Sequence, residues 1–181
     1  MFIILRTRQI MLECLFMMHE TALAWSYLNV LTKKRYDLLL QAFGDLDTAL
    51  GEISLGMLQG LGCREDTAME SMNRLDEFDP EAYQAELQKR GIKFLSITGD
   101  LYPQSLKEIP DAPVFLYYKG DISILNQPCI ALVGTREMST YGKRVTEYFT
   151  PAFVHAGLVI VSGLAEGIDA AVAEELSLIH I

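Results

Sequence analysis

Two stretches of the chain repeat one pattern, an apolar β-type run that breaks into glycine, small hydroxyls and a charge. The first is IALVGTREMSTYGKRV, Ile130 to Val145, and the second is GLVIVSGLAEGIDAA, Gly157 to Ala171. The runs lie about thirty residues apart, the spacing of a strand, a crossover helix and a second strand parallel to the first. Cys129–Val133 and Leu158–Ser162 read as adjacent parallel strands, and their continuous apolar character is the pattern of strands covered on both faces. Between them a helix opens near Ser139 or Thr140 and stops at Gly157. It carries Tyr141, Val145, Tyr148, Ala152, Phe153 and Ala156 on one stripe, expected to face the core, with Lys143 and Glu147 outside it. The result is a βαβ unit, with the right-handed crossover such units take.

Parallel strands end at one sheet edge, so Gly134–Arg136 and Ser162–Gly167 face the same crevice, where open α/β sheets bind ligands. Glycines allow close backbone approach, helix N-termini offer free N–H donors, and Arg136 supplies a planar fork of charge. One such loop alone would read as a tight strand-to-helix turn; two at one edge, one of them carrying Arg136, read as a phosphate site. Neither loop matches a nucleotide fingerprint. No Lys-Ser or Lys-Thr follows the glycines, and GTRxxxxYG is not GxGxxG. For catalysis Ser162 and Asp169 are the tempting pair, but no histidine is placed to act as a base. Asp169 reads as the cap of the following helix, and His155 as a surface or dipole-compensating residue.

Upstream, Ala22 to about Leu75 reads as short helices, with Leu23, Tyr27, Leu28, Leu31 and then Tyr36, Leu39, Leu40, Phe43 at helical spacing. Gly44 suits a helix end and Ser54 an N-cap. LQGLGCREDTAMESM, Leu58 to Met72, resembles a helix-hairpin-helix whose glycine turn presents N–H groups to a DNA phosphate. Ala68 lies two residues late for that motif, and Glu65 and Asp66 put negative charge at the anion end, so a structural turn is the favoured reading. Acidic LDEFDPEAY, Leu75 to Tyr83, leads into a helix with Pro80 in its first turn and an end near Gly91. Ile92–Ile97 and Val114–Gly120 read as strands, with a short helix entered through Pro103 between them.

The 181 residues suffice for one fair-sized domain or two small ones. No apolar stretch approaches the roughly 18–20 residues of a membrane span. Arg6, Arg8 and Glu13 interrupt the apolar start, which excludes a signal-peptide reading, and Met11, Met17 or Met18 serves equally well as a start. Cys14, Cys63 and Cys129 form no CxxC pair, which argues for reduced thiols in a cytoplasm rather than a disulfide scaffold or zinc site. His19, His155 and His180 are scattered, so no metal constellation is visible. A formal net charge of −9 repels nucleic acid, so any nucleic-acid function must rest on a local site.

YPQSLKEIPDAPVFLYYKGD, ALVGTREMSTYG and VSGLAEGIDAA, in this order and spacing, resemble the DNA-processing protein A (DprA, or Smf) family. The sharp matches run from Tyr102 to Ala171, and the helical region from Ala22 resembles the family's accessory domain more loosely. The resemblance implies a Rossmann-like parallel sheet, here truncated, preceded by a small all-helical domain of SAM or helix-hairpin-helix type. It implies a cytoplasmic, homodimeric, non-membrane protein, not an enzyme, without cofactor or metal. Such a protein binds single-stranded DNA without cutting it and delivers it to the RecA-type strand-exchange recombinase in natural transformation. The family's glycine-threonine/serine-arginine motif falls on Gly134, Thr135 and Arg136, with Arg136 expected at a phosphate. Its serine-glycine loop falls on Ser162, Gly163 and Gly167, with Asp169 starting the next helix and Lys143 as a neighbouring cation. Val172 and Ala173 stand where members commonly carry Ala-His, Glu166 weakens the local positive field, and SLIHI ends the chain where members continue.

The expected organisation is an N-terminal extension of non-native origin over 1–20, a helical domain over 21–78, the first part of a Rossmann-like domain over 79–176, and a foreign tail over 177–181. The competing class is a nucleotide-binding or nucleotide-hydrolysing enzyme on the same scaffold, which would need a catalytic acid or base facing the crevice. A third is a non-functional truncated product, since two parallel strands leave a sheet edge uncovered.

Overall fold

The computed structural model describes residues 20–179, which form two compact units, one ending at Gly120 and the other beginning at Asp121. The expected N-terminal extension, apart from its last residue, and residues 180 and 181 of the expected tail lie outside the described residues.

The first unit runs through helices α1 (20–28), α2 (Lys33–Phe43), α3 (Leu46–Gly51), α4 (Leu55–Gly60), α5 (Glu65–Asp76) and α6 (Pro80–Lys89). Strand β1 (Lys93–Ser96), the one-turn helix α7 (Gln104–Lys107) and strand β2 (Phe115–Tyr118) complete it. Helices α3, α4 and α6 start where the chain supplies a side-chain acceptor for an orphan N–H. Asp45 accepts from Thr48 N at 2.7 Å, Ser54 from Met57 N at 3.3 Å, and Asp79, just before Pro80, from Ala82 N at 3.0 Å. Gly44 ends α2 with φ +86°, its N–H donating to Leu40 O.

The helical spacing seen in the sequence points inward here: Leu23, Trp25, Leu28, Leu39, Leu58 and Ala68 are buried. The Trp25 indole N–H donates to Leu46 O at 3.0 Å, which lets that ring sit in the core with its polar atom satisfied. β1 and β2 pair antiparallel from Lys93↔Tyr118 to Ser96↔Phe115. This pair belongs with the helices, because Phe115 packs against the helical core while Tyr36 of α2 is buried among Ile97, Tyr102, Ala112 and Val114. The boundary expected near residue 78 therefore falls inside this unit.

The second unit holds a 3-10 turn (Ile122–Asn126), strand β3 (Cys129–Ala131), helix α8 (Thr140–His155), strand β4 (Val159–Val161) and helix α9 (Ile168–Ile179). β3 and β4 are adjacent and parallel, with Cys129↔Val159, Ile130↔Ile160 and Ala131↔Val161 opposed. Ser139 caps α8 by accepting from Gly142 N at 3.1 Å, and Gly157 follows its end with φ +77°. α9 continues through residues 177–179, where the foreign tail was expected to begin.

Two expectations are corrected here. The strands are not covered on both faces: Cys129 and Ala131 are exposed, Val161 is 43% exposed and Val133, just past β3, 68%. The α8 stripe does not face the core either, since Tyr141 is 76% exposed, Tyr148 71%, and Ala152 and Ala156 are open to solvent. The buried face of α8 is instead the row of small residues Gly142, Thr146 and Thr150, four apart. Gly142 abuts Ile168 of α9, Thr146 is buried, and Thr150 is fully enclosed. Thr146 is accommodated there because its Oγ1 bonds back to Gly142 O at 3.1 Å, whereas the enclosed Thr150 Oγ1 has no hydrogen-bond partner among the described residues.

A pair of substitutions checks this assignment by chemical denaturation. Leu58→Ala should destabilise the first unit by about 2–5 kcal/mol, the range for enclosed leucines. Tyr148→Ser, on the uncovered face of α8, should change stability by no more than about 0.5 kcal/mol.

Candidate functional site

The glycine turn between α4 and α5 is a structural connection. Its N–H groups are already committed: Leu61 N donates to Met57 O, Gly62 N to Gln59 O and Cys63 N to Leu58 O. Arg35 clamps the turn from α2, donating to Leu61 O at 3.0 Å, Gly62 O at 2.8 Å and Val30 O at 2.8 Å. The Asp66 carboxyl at the start of α5 is held below the ordinary carboxylate range, first by the Thr67 N–H and, against desolvation, by Arg64. With the N–H groups of residues 61–63 committed and a carboxylate at its mouth, the glycine turn itself presents no donor to a phosphate. A cleft of about 520 Å³ in the first unit is lined by Tyr36, Leu40, Phe94 and Leu95 with Asp45 and Asp47, and no cationic side chain lines it. Asp45 is engaged as the α3 cap and Asp47 accepts from Thr21, so neither converges on the cleft as a free group.

In the second unit the loops after β3 and β4 come together at one sheet edge, as parallel strands require. Their junction is made by Asp169, in the first turn of α9 and only 5% exposed. Its carboxylate accepts from Gly134 N at 3.2 Å through Oδ1 and from Gly163 N at 3.0 Å through Oδ2. The helix-cap role read from the sequence is thus corrected: Asp169 lies inside α9, and its side chain ties the two loops to each other. The Ile168 N–H adds a bond to Thr135 O at 3.1 Å.

Close packing explains the glycines at this junction. A Cβ on Gly134 would come within 2.6 Å of Ile168 Cγ1. Gly167, with φ +84°, lies so near the first loop that a Cβ would meet Thr135 O at 2.3 Å and Arg136 O at 2.5 Å.

The predicted site residues separate into three groups. Gly134, Gly163 and Gly167 form the junction itself, and the N–H groups of the first two are occupied by Asp169. Ser162 turns its Oγ away from solvent and gives it no hydrogen-bond partner among the described residues. Thr135, Arg136 and Lys143 are exposed. Lys143 stands 3.9 Å from Glu147. Arg136 makes no ion pair with Glu137 or any other carboxylate among the described residues. The N–H groups of Leu164, Ala165 and Glu166 also have no partner among them.

Sequence reasoning missed the bridging role of Asp169 and the conformation of Leu164, whose φ is +54°. An aspartate separated by 35 positions from one of its donors leaves no local signature. No group of three or more His, Cys, Asp or Glu among the described residues could hold a metal ion, and no described helix is long and apolar enough to cross a membrane.

Asp169→Asn keeps the shape of the side chain but replaces one acceptor with a donor that faces an N–H. Amide exchange at Gly134 and Gly163 should therefore accelerate, and the second unit should lose about 1–3 kcal/mol, as for a buried donor left unsatisfied. Unchanged protection of both amides would show that the bridge does not hold the loops.

Residues 93–178 match the family described as DNA recombination-mediator protein A. The DNA processing protein DprA of Streptococcus pneumoniae is 40% identical over 121 residues, covering 66% of this chain and 41% of that protein. DprA of Bacillus subtilis is 40% identical over 100 residues, 54% of this chain and 34% of the relative. Protein Smf of Synechocystis is 33% identical over 154 residues, 82% and 38% respectively. The X-ray structure of DprA from Streptococcus pneumoniae aligns with a TM-score of 0.58 at 32% identity, covering 91% of this chain and 53% of that one. The chain thus spans less than half the length of these three curated relatives.

Proposed function

Through residues 93–178 the chain belongs to the DNA-processing protein A (DprA/Smf) family, and from that premise we propose that it binds single-stranded DNA at the paired loops after β3 and β4. The reading extends to a DNA-processing role in natural transformation, in which a homodimer without enzymatic activity of its own passes the strand to a RecA-type recombinase.

The observation that carries the binding reading is Arg136. It is exposed beside a rigid junction of two loops, in a chain of net charge −9, with no carboxylate neutralising it among the described residues. A guanidinium fork left open at the carboxyl edge of a parallel sheet suits a phosphate. The free N–H groups of residues 164–166 add donors at the same edge. A nucleotide-hydrolysing enzyme would need a free acid or base there. Asp169, the buried carboxylate at the junction, has both oxygens engaged by backbone N–H groups. The free carboxylates at this edge, Glu137 and Glu166, are exposed with no side-chain hydrogen bond or ion pair among the described residues to position them for catalysis.

The test is binding to oligo-dT at several salt concentrations, with melting temperature measured on the same preparation. Binding should weaken with salt and show little base preference. Arg136→Ala should lower affinity by at least about tenfold, roughly 1.4 kcal/mol, while melting stays unchanged. Unchanged affinity with a large fall in melting temperature would make Arg136 structural and defeat the assignment of the site.

A further inference from the structure

The arch that joins β4 to α9 is held at both feet. At one, the Gly163 N–H donates to Asp169 Oδ2 at 3.0 Å. At the other, Gly167 is wedged beneath Thr135 O and Arg136 O with φ +84°. Between these fixed points Leu164 adopts φ +54° and leaves its side chain 78% exposed. An exposed leucine alone is ordinary. A leucine in the left-handed region is not, because its Cβ is strained there while glycine or asparagine would enter without difficulty. The strain is not offset by burial. The structure keeps an apolar side chain projecting from the arch that also carries the free N–H groups of residues 164–166, beside the loop that bears Arg136.

We propose that Leu164 is the base-contacting residue of this loop, an apolar wedge that packs against the face of an unstacked base while Arg136 holds a neighbouring phosphate. The inference rests on the single-stranded-DNA reading above and adds to it a contact with the base rather than the backbone. Apolar side chains insert between bases in this way, and every base presents a face to them, so the contact would not select sequence.

The experiment compares oligo-dT with an abasic oligonucleotide of the same length, bound at one salt concentration by the wild-type chain, by Leu164→Asn, by Leu164→Gly and by Arg136→Ala. Asparagine and glycine accept the left-handed backbone, so both Leu164 variants should fold, and Leu164→Asn should melt no lower than wild type. Each Leu164 variant should bind oligo-dT at least about fivefold more weakly and the abasic strand as wild type does. Arg136→Ala should weaken both. Equal loss on the two strands, or no loss on oligo-dT, overturns the wedge while leaving the single-stranded-DNA reading intact. Failure of the wild-type chain to bind either strand overturns both readings. A changed sedimentation behaviour of the Leu164 variants with unchanged DNA affinity would assign the side chain to a contact between copies of the chain, and would also overturn it.

Discussion

The Asp169 carboxylate is almost wholly removed from water, and a buried charge is tolerated only when donors replace its hydration. Its donors among the described residues are two backbone N–H groups, Gly134 from the loop after β3 and Gly163 from the loop after β4. Neither loop can move without stranding that charge, and α9 cannot move without stranding both loops. The Ile168–Thr135 bond adds a third tie in the same place. β3 and β4 oppose only three residue pairs, too short a ladder to fix the loops that follow it. The positions of Arg136 and Leu164 therefore depend on a polar cluster around one carboxylate, whose members strengthen one another in a low-dielectric setting.

The periodic and capping signals of the sequence were legible because they are local. Ser54, Asp79 with Pro80, Ser139 and the glycines at 44 and 157 act within a few residues of where they stand, and each element they bound formed as read. The parallel pairing of β3 with β4 was legible too, since strand–helix–strand spacing admits few alternatives. What the pattern could not show was which side of α8 would find a neighbour. Both sides carry apolar atoms, and the face that packs is the one with small residues, where Gly142 lets Ile168 approach. The bridge at Asp169 was illegible for the opposite reason: its partners are backbone groups of glycines, which carry no side-chain signal of pairing.

The bridge also changes what the glycine loops can offer a ligand. Read from the sequence, Gly134, Ser162 and Gly163 belong to the nucleic-acid-binding loops, the glycines allowing close backbone approach to a phosphate. In the folded unit the two N–H groups face a carboxylate and the Ser162 Oγ is shielded. Any phosphate contact then falls on the Arg136 side chain, the Thr135 hydroxyl and the N–H groups of residues 164–166, all at the outer rim rather than inside the junction.

A rim site in an acidic chain must work at short range. With net charge −9, Glu166 in the second loop and Asp169 beneath it, long-range attraction cannot gather a polyanion to this edge. Each phosphate neutralised on a single strand contributes about 0.7 to the slope of log affinity against log salt. On the proposed reading Arg136 would supply one such contact, and Lys143, 3.9 Å from Glu147, is already partly compensated. Non-ionic contacts must therefore supply much of the affinity if the edge binds DNA: uncharged N–H donors on the arch, and the exposed side chain that the arch holds outward. The rigidity conferred by Asp169 would serve that arrangement, because short-range contacts are productive only when their geometry is set before a strand arrives.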